Sequence, residues 1–117
     1  MVKIEAVVQP FRLDSIKAAM DGLGIEGITI CHVMEHAGPL GLITSYRGTE
    51  HYVDAPRIKL EMLVSSLRAD EVIEALSQAA RTGMSSDDGT IWVCEVADAM
   101  RIRNGARIQL ALSHEPR

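Results

Sequence analysis

Two arginines one residue apart, and a run of small residues ahead of the last apolar segment, are the parts of this sequence best suited to chemistry. On an extended segment, side chains two positions apart point the same way. Arg101-Ile102-Arg103 therefore predicts paired guanidinium groups suited to phosphate or carboxylate. Upstream lies Thr82-Gly83-Met84-Ser85-Ser86-Asp87-Asp88-Gly89-Thr90, whose small residues let backbone N–H groups converge on an anion. Each motif has a plainer reading, as a solvated arginine pair and as a helix cap with a turn. Together they predict an anion site.

Other reactive residues combine poorly. Cys31 and Cys94 lie in separate segments without metal-site spacing and read as two small buried hydrophobes, with a functional thiol pair as the alternative. His32, His36, His51 and His114 form no zinc signature, and His32 with His36 fits a polar strand edge better than a metal pair. No nucleophile–base pair or metal cluster can be assembled, so no catalytic activity is expected.

The elements that must position these residues come from a duplication. Val2-Lys3-Ile4-Glu5-Ala6-Val7-Val8 reads like Ile58-Lys59-Leu60-Glu61-Met62-Leu63-Val64. At the same offset Arg12 matches Arg68, Asp14 matches Asp70, Ile16 matches Val72, and Ala19 matches Ala75. Self-similarity at one offset marks repeated supersecondary units, and two copies imply a pseudo-twofold domain. Each copy opens with period-2 alternation and then changes to helical spacing. Val2, Ile4, Ala6 and Val8 share one face of the first strand, and Pro10 marks its exit. Leu13, Ile16, Met20 and Leu23 form the stripe of a helix stopping near Gly24. A strand follows over 27–36, then a strand over 57–64, a helix over 69–81 with Val72, Leu76 and Ala79 inward, and a last strand over 90–96.

That order, βαββαβ, predicts an α+β, ferredoxin-like fold with both helices on one face of a four-stranded antiparallel sheet. The copied strands then lie side by side in the middle, with Lys3 and Glu5 near Lys59 and Glu61. Val7, Leu63 and part of 91–96 fall on the uncovered face. Apolar groups beside ordered charges there predict self-association.

Composition fits a single domain over 1–117: 47% of residues are hydrophobic, and the aromatics are Phe11, Tyr46, Tyr52 and Trp92. A formal net charge of −4 argues against duplex nucleic acid. No apolar run approaches the ~20 residues of a membrane span, and the N-terminus enters a strand pattern directly, so a cytoplasmic location is expected. The stretch 37–56 reads as a long loop. Gly38, Gly41 and Gly48 argue for mobility, and Leu40, Leu42, Ile43 and Tyr46 for docking of another protein. An extended hairpin is the alternative.

Taken together, these segments resemble the PII nitrogen-regulatory signal proteins. The likeness runs through Pro10-Phe11-Arg12-Leu13-Asp14, Gly24-Ile25-Glu26-Gly27-Ile28-Thr29, Tyr46-Arg47-Gly48-Thr49-Glu50, Thr82-Gly83, Asp88-Gly89 and Arg101-Ile102-Arg103. The resemblance implies a non-enzymatic homotrimer that binds ATP or ADP between subunits and regulates a partner enzyme or transporter. It divides the chain into a signalling loop (37–56), a phosphate loop (82–90) and a tail (104–117). It implies Thr29 and Leu63 near the adenine, with the backbone of Ala37 and Gly38 closing over the nucleotide. Asp87, Asp88, Gly89 and Thr90 would lie at the phosphates, and Arg101 and Arg103 would reach them from a neighbouring subunit. Leu40, Leu42, Tyr46, Arg47 and His51 would face the partner.

Departures from the family pattern carry their own expectations. Pro39 stands where the family usually has a glutamine that helps hold magnesium and 2-oxoglutarate, which argues against sensing of that acid. Leu40, Met84 and Thr90 replace lysines, so ADP or AMP should be favoured over ATP. Arg57 replaces another lysine and keeps the charge. His51 replaces a modifiable tyrosine, which excludes uridylylation there. A sensor of another small anion, such as bicarbonate, together with ADP or AMP is the alternative reading.

Overall fold

The computed structural model describes residues 1–36, 42–46, 48–83 and 88–108, with the strands at 42–46 and 49–53 described as backbone. Strand β1 (Val2–Val8) leads through a 3-10 turn at Pro10–Arg12 into helix α1 (Leu13–Gly22). Strands β2 (Thr29–Glu35), β3 (Leu42–Tyr46), β4 (Thr49–Val53) and β5 (Ala55–Val64) follow. A second 3-10 turn, Ser66–Arg68, opens helix α2 (Ala69–Ala80), and β6 (Gly89–Glu95) closes the sheet. The main sheet has the order β2-β5-β1-β6, antiparallel throughout. The duplicated strands β1 and β5 are central neighbours, as the repeat predicts.

Alternation decides which face is covered. Val2, Ile4, Ala6 and Val8 of β1 and Ile58, Leu60, Met62 and Val64 of β5 are all buried. They pack with Ile16 and Met20 of α1 and Val72, Leu76 and Ala80 of α2 into one core. Fully burying such a side chain contributes roughly 1.5–3 kcal/mol. Helix α1 stops where Gly24 takes φ +71 and the Ile25 N–H donates to Met20 O at 3.1 Å, a glycine-dependent terminus.

The repeat also supplies a reciprocal lock. Arg12, before α1, donates from Nε to Ala79 O at the end of α2. Its copy Arg68, before α2, donates to Leu23 O beyond the end of α1 at 2.7 Å and pairs with Glu71 at 3.3 Å. Each guanidinium thus answers carbonyls at the other helix's C-terminus, where the helix dipole favours a cation.

Three expectations require correction. The stretch 37–56 is not simply a loop: β3 and β4 form a two-stranded antiparallel hairpin within it, and β5 takes in Ala55 and Pro56. The segment carrying Arg101 and Arg103 is not extended. The Gly105 N–H donates to Arg101 O at 2.9 Å, the Arg101 N–H donates to Ala106 O at 2.8 Å, and Gly105 takes φ +70, which makes a hairpin turn. Third, Cys31 is exposed and Cys94 only half-buried in this chain, because both sit on edge strands and on the face that the helices leave uncovered.

Candidate functional site

Lys3, Glu5 and Val7 of β1 and Arg57, Lys59, Glu61 and Leu63 of β5 occupy the face away from the helices, opposite the buried even-numbered set. Trp92 lies beside Glu5, and Cys94 beside Lys3, on β6. On the other side Thr29 lies beside Glu61, Cys31 beside Lys59 and Val33 beside Arg57 on β2. Val7 and Leu63 fall on this open face as expected, with Trp92 and Cys94 as the contribution of β6.

The charges there do not pair across the strands. A duplicated antiparallel pair must place one residue opposite its own copy, and the register makes that residue Glu5, facing Glu61. Lys3 faces Leu63 and Lys59 faces Val7. Ion pairs therefore form along each strand instead, Lys3 Nζ to Glu5 Oε1 at 2.7 Å and Lys59 Nζ to Glu61 Oε1 at 3.4 Å. The Trp92 indole N–H donates to the second oxygen of Glu5. Two facing glutamates repel, and these local partners offset the repulsion.

The Lys3 hydrogen bond holds the Glu5 carboxyl below the ordinary glutamate range, against the opposing effect of desolvation and with further help from Trp92. Reciprocally, Glu5 raises Lys3. A depressed carboxyl stabilises the fold above its unfolded-state value of about 4.3, and that contribution vanishes as pH falls through the folded value. Urea unfolding should therefore show Glu5→Gln less stable than wild type at pH 7, with the gap closing toward pH 3. A gap that stays constant with pH would contradict the assignment.

The candidate nucleotide residues fall into two groups. Thr29 opens β2, Leu63 lies near the end of β5, and Arg101 and Arg103 follow the end of β6. These strand ends fall at the same end of the sheet, with β2 and β6 at its two sides. At the other end stand Asp88, Gly89 and Thr90 where β6 begins, along with the end of β2 that leads toward Ala37 and Gly38. Thr29 shares its cross-strand row with Trp92, whereas Gly89 shares its row with Val8, Ile58 and His32. Thr29 and Gly89 are thus about 14 Å apart across the strands and about 10 Å apart along them. The structure does not bring the two groups together within one chain.

Asp88 is half-buried and accepts a hydrogen bond from the Thr82 hydroxyl, which ties the two ends of the small-residue run. Gly89 has a structural reason that the sequence alone did not reveal. At φ +115, a Cβ would lie 2.0 Å from the Val7 carbonyl oxygen, so β6 can start beside β1 only with glycine there. Ala37, Gly38, Leu40, Arg47 and Asp87 lie outside the described residues, as do Pro39 and Met84, and Leu42, Tyr46 and His51 are placed by backbone alone. Among the described residues no cluster of three or more metal-ligating side chains occurs, and no helix is long and apolar enough to cross a membrane.

Comparison with known proteins gives this architecture a family. The family model described as "Nitrogen regulatory protein P-II" matches residues 1–106. This chain belongs to the P-II family. The P-II protein of Rhodospirillum rubrum is 40% identical over 108 residues, covering 92% of this chain and 96% of its own length. Those of Rhizobium meliloti and Haemophilus influenzae are 41% and 42% identical over 106 residues, each covering 90% of this chain and 94% of the relative. The matched span takes in every strand and helix among the described residues of this P-II chain, as well as Arg101 and Arg103.

Two interactions were missed in the sequence. The Trp92–Glu5 hydrogen bond joins residues far apart in the chain, which no local pattern announces. The contact between His36 and Asp54 spans the neck of the β3–β4 hairpin. Its signal was available only once the intervening stretch was read as a hairpin.

Proposed function

We propose that this P-II chain is a non-enzymatic, cytoplasmic signal protein that senses adenine nucleotide and regulates a partner enzyme or transporter in nitrogen metabolism. It works as a homotrimer with nucleotide in the clefts between subunits. The observation that carries this reading is the separation of the two candidate groups to opposite ends of the sheet. Two chains packed through their open faces and edges would bring the far ends of their sheets to one nucleotide.

In this reading Thr29 and Leu63 meet the adenine, and Arg101 and Arg103 of the same subunit hold phosphate. The neighbouring subunit supplies Asp87, Asp88, Gly89 and Thr90, with Ala37 and Gly38 closing over the base. Paired arginines suit a phosphate because their donors are charged and planar. With no lysine at Leu40, Met84 or Thr90, the site favours ADP or AMP over ATP. The stretch 37–56, with Leu40, Leu42, Tyr46, Arg47 and His51, is the docking arm.

Titration calorimetry with ADP, AMP and ATP tests the reading. Saturable micromolar binding of ADP is expected, with ATP weaker. An absence of binding heat with all three nucleotides would overturn it. Pro39 and Leu40 also motivate a second anion effector, and a thermal-shift screen with bicarbonate added to ADP should give an extra stabilisation if that effector binds.

A further inference from the structure

Arg57 carries a donor that the fold leaves unanswered. Its side chain is only 14% exposed, and its Nε–H is buried without a hydrogen-bond partner among the described residues. Buried donors are almost always paired, so an orphan on a charged group calls for a physical reason. The rest of the guanidinium is anchored. One terminal nitrogen donates to Gln9 Oε1 at 3.3 Å and to Pro56 O at 2.9 Å, which draws the group over the end of β1. Gly89 pairs with Val8 there and Thr90 with Val7, so the start of β6 lies just across β1 from the guanidinium. Arg57 thus shares its end of the sheet with Asp88, Gly89 and Thr90. Lys59, the next cation on β5, is engaged by Glu61.

Glu35 is the carboxylate that answers Arg57, and it does so incompletely. Val33 lies opposite Arg57 and Glu35 two residues on, so both charges stand on the open face at the β2 side of the sheet. Glu35 Oε1 stops 3.7 Å from Arg57 Nε, inside ion-pair range but beyond a hydrogen bond. Its side chain is 39% exposed. The pair therefore offsets the charge of the guanidinium without spending its donors.

We infer that Glu35 is a specificity-determining residue, a built-in counter-ion that limits how much negative charge the anion site beside Arg57 accepts. The inference rests on the nucleotide reading above and deepens it. Arg57 stands with the phosphate-loop group, and Glu35 sets how many phosphates that group favours. A guanidinium with unspent donors still offers hydrogen bonds to a phosphate oxygen. Each further charge on the ligand meets the same donors but more repulsion from the fixed carboxylate. The less charged of two nucleotides is favoured, for a reason separate from the missing lysines at Leu40, Met84 and Thr90.

Titration calorimetry of the full chain with ADP and with ATP, in EDTA so that no divalent cation masks phosphate charge, tests the inference. Glu35→Gln keeps the side chain's size and removes its charge. In that variant the affinity for ATP relative to ADP should rise by about three- to tenfold, the scale of one added charge contact at a partly solvated site. Salt at 1 M should shrink the gain. Asp21→Asn removes an equal charge from the exposed end of α1 and should leave the ratio at its wild-type value. Because the ratio is taken within each variant, a change in stability cancels. An unchanged ratio in a Glu35→Gln protein that binds both nucleotides, or an equal rise in Asp21→Asn, would overturn the inference and leave the nucleotide reading standing. An absence of binding heat in both wild type and Glu35→Gln would overturn both.

Discussion

Arg101→Ala/Arg103→Ala should bind ADP at least about 100-fold more weakly than wild type while melting at the same temperature. A hydrogen bond to a charged group is worth about 1.5–3 kcal/mol, and each 1.4 kcal/mol is tenfold in affinity. Both side chains are exposed on the turn after β6, away from the packed core, so stability has no reason to change. The hairpin turn does not aim the two guanidinium groups as a flat strand would. Because they need not act as a matched pair, the single variants should lose unequal amounts. Isothermal titration of all three variants measures this, and an unchanged dissociation constant in the double variant would remove these arginines from the site.

The second large effect is structural. Gly89→Ala should lower unfolding stability by at least about 2–3 kcal/mol, because the residue takes a positive φ and its Cβ would strike backbone. The nearest atoms, Val7 O and C and Val8 Cα, belong to the central strand β1 and have no side-chain freedom to yield. Gly22 provides the contrast. It ends α1 with nothing within 4 Å of an added methyl, so Gly22→Ala should be neutral or stabilise by up to about 1 kcal/mol. Urea denaturation of the two variants checks both. A loss below about 0.5 kcal/mol for Gly89→Ala would mean that β6 can begin elsewhere.

How much of this the sequence disclosed depends on the range of each interaction. The repeat was legible because alternation in β1 and β5 is local, and matching copies imply symmetric neighbours. From that pairing the core and the open face followed. The hairpin β3–β4 was harder to see because Gly38, Gly41 and Gly48 read as breakers. Yet Gly48, at φ +78, lies in the turn between two strands containing Ile43, Thr44, Tyr52 and Val53. The partners of the open-face charges were out of reach for a different reason. Knowing that β1 lies beside β5 does not fix the register, and only the register places Glu5 against Glu61 and turns the lysines back along their own strands. Arg101 and Arg103 were read on an extended segment beyond the last strand, whereas Asn104 and Gly105 supply a turn. The Asn104 side chain accepts from the Ala106 N–H at 2.9 Å, and this local bond competes successfully with an extended chain.

The candidate site divides along the same line. Its residue types were readable, and their distribution over two ends of one sheet was not, because that depends on strand order. Cys31 shows the same dependence. Its exposure follows from its place on the open face of an edge strand, and packing against another copy would change it.

Native mass spectrometry of the intact protein with ADP addresses the shared-cleft claim most directly. The account predicts an assembly of three chains carrying up to three ADP molecules, with nucleotide absent from any monomer released by dilution. A folded single chain that binds ADP by itself, or a trimer that binds none, would contradict it.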